Sequence, residues 1–289
     1  MYTDLIEIYH ALEKNRVKDP LPELLSLIDI LSQRALRKTD LSGFKEKAIR
    51  YDAAAQQRKE GVPWEYIIGE APFLGRMFYC SSETLIPREE TELLTTVALD
   101  FIKSEWKPGK KLTLIDMGTG CGNIAISLAL GCQDANVLAS DLSPATIAVA
   151  KKNVERHQVQ RRVTLFHGDL FSPFDETYYR EKIDMVVCNP PYIPTGSLQK
   201  LAPEIIGHEP REAFDAGAFG INIFRRLIKD ALLFLKPGGI LTFEIGAGQE
   251  KLVTRLFDKS GGYSNLAYHP DHLDRVRVIS AEKLQQNGC

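Results

Sequence analysis

A chain of 289 residues with 44% apolar and 26% charged side chains has the composition of a folded protein of one or two domains, which excludes disorder and fibrous repeats. Its 38 acids and 36 bases leave a net charge of −2, so the basic excess that non-specific nucleic-acid binding needs is absent. No apolar run approaches the ~20 residues that span a bilayer, and the opening MYTDLIEIYH has no leader pattern, so no membrane association and a cytoplasmic location are expected.

Residues 1–68 read as helical. Leu5, Ile8, Tyr9 and Leu12 fall on one helix face, and Asp19-Pro20-Leu21-Pro22 breaks the chain before a second helix. Leu24, Leu25, Leu27, Ile28, Leu31 and Leu36 give that helix a broad apolar stripe. A third helix is expected from Ser42 to Lys59, ending at Gly61-Val62-Pro63. Bases cluster between Arg34 and Lys59, as a solvated face or as a docking surface. Residues 69–88 hold the short runs Phe73-Leu74 and Met77-Phe78-Tyr79 around Gly75, which predict a hairpin linker.

Across residues 89–289 strands alternate with helices. Strands are expected over 111–116, 136–140, 162–166, 183–188 and 239–245, with helices from Gly122, from Ser143 and over 221–235. This pattern predicts an α/β domain, a parallel sheet covered on both faces. Residues 265–268 and 275–280 predict a closing hairpin. In such sheets ligands bind at the carboxyl ends of the strands.

The first strand of this domain runs into Asp116-Met117-Gly118-Thr119-Gly120-Cys121-Gly122. Alternate glycines allow a sharp turn and a close approach of backbone to ligand. A carboxylate at the strand end would repel a pyrophosphate and suits an ammonium, so S-adenosylmethionine fits better than a dinucleotide. Asp141, ending the next strand, is placed for ribose hydroxyls. Asp169, after the third, is placed for an adenine amino group, and Leu142 and Leu170 adjoin the two acids.

The fourth strand runs into Asn189-Pro190-Pro191-Tyr192. Two prolines fix φ and remove two N–H donors, so the loop is stiff. The Asn189 side chain and the Pro190 carbonyl offer two acceptors that match both hydrogens of a planar NH2 group, and Tyr192 is placed to cover it. Such a clamp has a purpose. An amide nitrogen is a poor nucleophile because its lone pair is delocalised, as its rotation barrier of ~18–20 kcal/mol shows. Acceptors on its N–H bonds favour the positive charge that develops as it attacks.

Together, D-x-G-T-G-x-G and the later N-P-P-Y resemble class I S-adenosylmethionine-dependent methyltransferases acting on planar nitrogens. Tyr66-Ile67-Ile68-Gly69, Ile86-Pro87-Arg88 with Glu90-Thr91-Glu92, Asn189-Pro190-Pro191-Tyr192-Ile193-Pro194, Glu209-Pro210-Arg211 and Glu244-Ile245-Gly246 narrow the resemblance to the protein-glutamine N5-methyltransferase family, which modifies the glutamine of the Gly-Gly-Gln motif in peptide release factors. The resemblance implies a Rossmann-like methyltransferase sheet with a helical N-terminal domain that docks the release factor. It implies cofactor contacts at Asp116, Gly118, Thr119, Gly120, Gly122, Asp141, Leu142, Asp169, Leu170 and Asn189. It further implies catalytic roles for Asn189, Pro190 and Tyr192, and substrate contacts at these and at Pro191, Pro87 and Arg88. The chain departs from the family pattern at Glu89, where Pro is usual, at Asp274, where Gly is usual, and along its N-terminal helices. Two alternatives keep the fold but change the acceptor: a small molecule or biosynthetic peptide, or an adenine amino group in nucleic acid. The cysteines Cys80, Cys121, Cys132, Cys188 and Cys289 never form C-x-x-C, and the six histidines include no H-x-x-x-H pair, so no metal is expected.

Overall fold

In a computed structural model of the chain, residues 2–17, 19–35, 51–105, 107, 109–217 and 220–285 are described. The N-terminal apolar stripes form helices α1 (Tyr2–Lys14), α2 (Pro20–Ala35), α3 (Tyr51–Lys59) and α4 (Trp64–Ile68). Proline opens α2, where its fixed φ suits a first turn that has no use for the missing N–H. Ile8, Leu12, Leu27, Ile30, Ala55, Trp64 and Ile68 make a separate small core, completed by Met77. The start of the helix expected from Ser42, residues 36–50 of the apolar and basic patterns, and Cys289 lie outside the described residues.

Met77 belongs to a hairpin, β1 (Glu70–Phe73) and β2 (Arg76–Tyr79), in which Phe73 pairs with Arg76. Its two-residue turn has left-handed φ at both Leu74 (44°) and Gly75 (64°), the primed geometry that matches the strand twist. Leucine adopts such a φ at a cost. The Leu74 amide is held by Glu92 Oε1 at 2.5 Å, so Glu92 braces the turn rather than the ligand site.

Glu92 lies on α5 (Glu89–Glu105), a helix the sequence reading did not anticipate. Beyond it come β3 (Leu112–Met117), α6 (Asn123–Gly131), β4 (Ala135–Asp141), α7 (Pro144–Arg156), β5 (Val163–His167), α8 (Glu176–Tyr179) and β6 (Ile183–Cys188). They continue with α9 (Pro203–His208), α10 (Asn222–Phe234), β7 (Leu235–Glu244), α11 (Glu250–Ser260), β8 (Tyr263–Pro270) and β9 (Val276–Lys283). The strands form one sheet in the order β5-β4-β3-β6-β7-β9-β8. β5 to β7 are mutually parallel, and the expected closing hairpin adds β9 and β8 antiparallel. The start of β7 precedes the expected residue 239, with an irregular register near Pro237-Gly238-Gly239.

Because both faces are covered, the central strands are apolar on both sides. Leu114 and Val187 enter a core with Leu94, Ala98, Ala125 and Val149 from α5, α6 and α7. Their neighbours Ile115 and Val186 enter the opposite core with Phe224, Leu227, Val253 and Phe257 from α10 and α11. Asp274, where the family pattern favours glycine, has φ +56° in the β8–β9 turn, and Asp271 ties that turn by accepting from the Leu273 and Arg275 amides. Among the described residues no helix is long and apolar enough to cross a membrane, and no group of His, Cys, Asp and Glu could hold a metal ion.

Candidate active site

Strand order reverses between β3 and β6. Two loops therefore leave adjacent strands at their carboxyl ends and diverge, opening the crevice where open α/β sheets bind ligands. One is the glycine turn, the other the Asn-Pro-Pro-Tyr loop. They nearly touch: a Cβ on Gly118 would lie 3.8 Å from the Asn189 carbonyl oxygen. A cavity of about 550 Å³ opens between them.

Gly118, Gly120 and Gly122 all have left-handed φ (65°, 56° and 87°), so the turn needs glycine at each of its alternate positions. Two acids hold it. Asp116 is fully buried, and its Oδ2 accepts from Thr119 Oγ1 (2.6 Å) and the Ala125 amide (3.0 Å). Its Oδ1 is buried without a partner. Burial pushes this carboxyl up to about 7, against the Thr119 and Ala125 hydrogen bonds that lower it. Asp141 accepts the Gly120 amide on Oδ2 (3.0 Å) and the Ser143 amide on Oδ1 (3.1 Å), while burial raises its pKa. Asn153 of α7, also buried, donates to the carbonyls of Cys121 and Tyr79 (2.8 Å each), lashing the turn to the hairpin.

The residues expected at the cofactor divide. Gly118, Thr119, Gly120, Asp141, Leu142, Asp169, Leu170 and Asn189 line the cavity. Asp116 and Gly122 do not: the first sits beneath the turn and the second, at the N-cap of α6, packs on Ile126 and Ala150. Asp169 is on the wall with one oxygen engaged, since Arg226 Nη2 reaches its Oδ2 at 2.7 Å. Leu142 is a large apolar side chain left 59% exposed on the wall, a flat support for a base.

The second loop divides likewise. Asn189 and Pro191 line the cavity, whereas Pro190 is buried behind it. The Pro190 carbonyl nevertheless belongs to the peptide joining it to Pro191, at the cavity edge. Tyr192, expected to cover the acceptor, is not on the wall. Its hydroxyl turns away to donate to Glu244 Oε1 at 3.0 Å. Gln249 straps the loop, its Nε2 donating to the Tyr192 carbonyl (3.0 Å) while its Oε1 accepts the Gly246 amide (2.8 Å). Asn189 Nδ2 donates to Thr91 Oγ1 at 2.8 Å, and no described residue donates to Asn189 Oδ1. Cys188 is buried with its thiol pushed far up by burial, which leaves no thiolate for nucleophilic work.

Pro87 and Arg88 line the cavity. Arg88 pairs with Glu209, whose other oxygen accepts the Ile86 amide at 3.3 Å, and this brings the Ile86-Pro87-Arg88 and Glu209-Pro210-Arg211 motifs together. Thr91, Glu209, Glu244 and Arg277 had no role assigned from sequence. The only signal for Thr91, Glu209 and Glu244 there was membership in the outlying motifs, and Arg277 had none beyond its place in the closing hairpin.

Residues 94–221 match the family model "Methyltransferase small domain". The release factor glutamine methyltransferase of Geobacter sulfurreducens is 38% identical over 221 residues, 76% of this chain and 74% of that protein. That of Bacillus subtilis is 35% identical over 261 residues, 90% of this chain and 89% of that protein. Among solved structures, the hMettl16 catalytic domain in complex with an RNA hairpin superposes with a TM-score of 0.56 at 15% identity, covering 82% of this chain and 84% of that one, a likeness of fold alone.

Proposed function

The chain belongs to the release factor glutamine methyltransferase family, and on that premise we propose that it methylates the side-chain amide nitrogen of the Gly-Gly-Gln glutamine of a peptide chain release factor. It is an S-adenosylmethionine-dependent N-methyltransferase. The residues present fit that cofactor: a glycine cradle that side chains would fill, a buried carboxylate oxygen lacking a partner, and an exposed leucine beside an acid. S-adenosylmethionine supplies an electrophilic sulfonium methyl. In our reading Gly118, Thr119 and Gly120 offer backbone to its amino-acid end, and Asp116 supplies the negative charge beneath it. Asp141 would face the ribose, and Leu142 and Leu170, which line the cavity with Asp169, would flank the base.

Asn189 Oδ1 and the Pro190 carbonyl would accept the two N–H bonds of the substrate amide. Holding both hydrogens aims the nitrogen lone pair into the cavity and favours the transition state over the delocalised ground state. Alignment of two bound reactants is worth ~7–11 kcal/mol, and preorganised dipoles act only as charge develops. Pro191 and Arg88, which line the cavity, would limit the access of water to the reacting groups. The observation that carries the reading is the Asn189 side-chain acceptor that no described residue engages, on a residue that lines the cavity and whose Nδ2 is held by Thr91.

We further infer that the helices of residues 1–68 dock the release factor. Ile6, Leu21 and Leu25, exposed at 57%, 55% and 56%, support this as apolar side chains at the surface of α1 and α2. Incubating the protein with labelled S-adenosylmethionine and a release factor, then locating the label by peptide mass spectrometry, tests the proposal. Label on the Gly-Gly-Gln glutamine is expected. Transfer to a small molecule or to nucleic acid, with none to the release factor, would overturn it.

A further inference from the structure

The clamp works only if Asn189 shows the cavity its oxygen and not its NH2 group. The two ends of a carboxamide are nearly isosteric, so packing alone does not choose between them. A chain of hydrogen bonds behind the loop does. Arg277 of β9 is a donor with no acceptor, and its Nη2 lies 3.0 Å from the Tyr192 hydroxyl and 3.4 Å from Glu244 Oε1. Tyr192 therefore accepts from Arg277 and gives its own hydrogen to Glu244 Oε1, at 3.0 Å. Glu244, 1% exposed at the end of β7, has its Oε2 2.8 Å from Thr91 Oγ1. Burial raises the Glu244 pKa, while the Thr91 and Tyr192 hydrogen bonds and the Arg277 charge favour its ionised form. As a carboxylate it can only accept, so the single hydroxyl hydrogen of Thr91 goes to Glu244. Thr91 is then left with a lone pair for its last neighbour, 2.8 Å away, and that neighbour must donate. Asn189 is forced to spend its NH2 on Thr91.

We propose that Glu244, oriented by Arg277 and acting through Thr91, is the positioning residue that polarises the clamp by turning the Asn189 carbonyl oxygen toward the substrate amide. Every link is buried or half-buried, so water does not scramble the direction. The inference rests on the methyltransferase reading above and adds to it the residues that set the donor–acceptor sense of the site.

An isosteric swap reverses the logic. In Glu244→Gln the amide oxygen stays toward Arg277 and Tyr192, which both donate, and the new NH2 group faces Thr91. Thr91 then accepts from the introduced amide and turns its hydrogen to residue 189, so Asn189 flips and shows the cavity a donor. Glu244→Gln should lower kcat by about 10²-fold, the scale of one misplaced preorganised dipole. The KM for the release factor and the affinity for S-adenosylmethionine should change little. Asn189→Asp should also fail, because two acceptors would then face one hydroxyl hydrogen. The double variant Glu244→Gln/Asn189→Asp restores the match: the introduced amide donates to Thr91, Thr91 donates to one oxygen of the introduced carboxylate, and the other oxygen of that carboxylate faces the cavity. It should regain at least about tenfold over either single variant, a recovery that a merely structural role for Glu244 does not produce.

A measurement that needs no substrate separates this proposal from the broader one. In the full chain labelled at asparagine, the Asn189 side-chain NH2 should exchange slowly with solvent in the native protein and rapidly in Glu244→Gln. Slow exchange in both, or a double variant no faster than its parents in an enzyme that does methylate the release factor, would overturn the polarising role. Absence of methyl transfer by the native protein, with the exchange difference present, would instead remove the substrate assignment.

Discussion

The two loops at the switch point are built in opposite ways. The glycine turn after β3 is made of the most permissive residue and is held by acceptors: Asp116 and Asp141 collect its hydroxyl and amide hydrogens. The proline loop after β6 is made of the stiffest residue and is held by donors and acceptors arriving from β7, β9, α5 and the start of α11. A cationic ligand needs nearby negative charge and open backbone, which glycine and aspartate give locally. A neutral amide must be read for direction, which a single loop cannot supply.

This contrast orders the expected effects of variants. The largest belongs to the proline loop: Asn189→Ala should cut kcat by about 10²–10³-fold while leaving S-adenosylmethionine affinity, read by calorimetry, within a few-fold. An equal loss in both quantities would mean that the loops do not act separately. Next is the glycine turn. Gly122 has φ +87°, and a Cβ there would sit 3.2 Å from Ile126 Cδ1. Gly122→Ala should cost about 1–3 kcal/mol in urea unfolding, with cofactor affinity falling more than kcat at saturation.

A smaller effect depends on pH. The folded Asp116 pKa of about 7 lies above its ordinary 3.8, so the protein takes up a proton there on folding. Stability of the ligand-free protein should therefore fall as pH rises through that window. Binding of a cation needs the ionised form, so cofactor affinity should weaken up to about tenfold per pH unit as pH drops below about 7. Calorimetry across pH should show this slope in the native protein and lose it in Asp116→Asn; a flat native profile would detach Asp116 from the cofactor.

The smallest effect lies at the junction with the helices. Arg58 of α3 reaches Glu23 of α2 (2.5 Å) and Glu204 of α9 (2.6 Å), connecting the N-terminal core to the segment that follows the proline loop. Glu23 keeps a second partner in Trp64 Nε1 (3.0 Å). Arg58→Ala should thus cost only about 1 kcal/mol of stability. A larger loss of methyl transfer to the release factor than of stability would mean that the junction also sets substrate geometry.

The strands of the sheet and both loops were legible because their signals are local: alternating apolar runs, a D-x-G-x-G-x-G turn, a proline pair after a strand. The helices α5 and α11 were not, and neither was the outward turn of Tyr192. Asp116 was expected to touch the ligand directly, but lies beneath the turn because the Thr119 hydroxyl and the Ala125 amide of α6 need an acceptor there.

Residue order by itself determined which chemistry could occur at each strand end, since glycine, proline and a terminal carboxylate act on their own backbone within a few bonds. Which end of Asn189 faces the cavity was decided only when β7, β9 and α5 packed together. That choice depends on hydrogens passed between Arg277, Tyr192, Glu244 and Thr91, residues remote in sequence whose donor or acceptor sense has meaning only at about 3 Å.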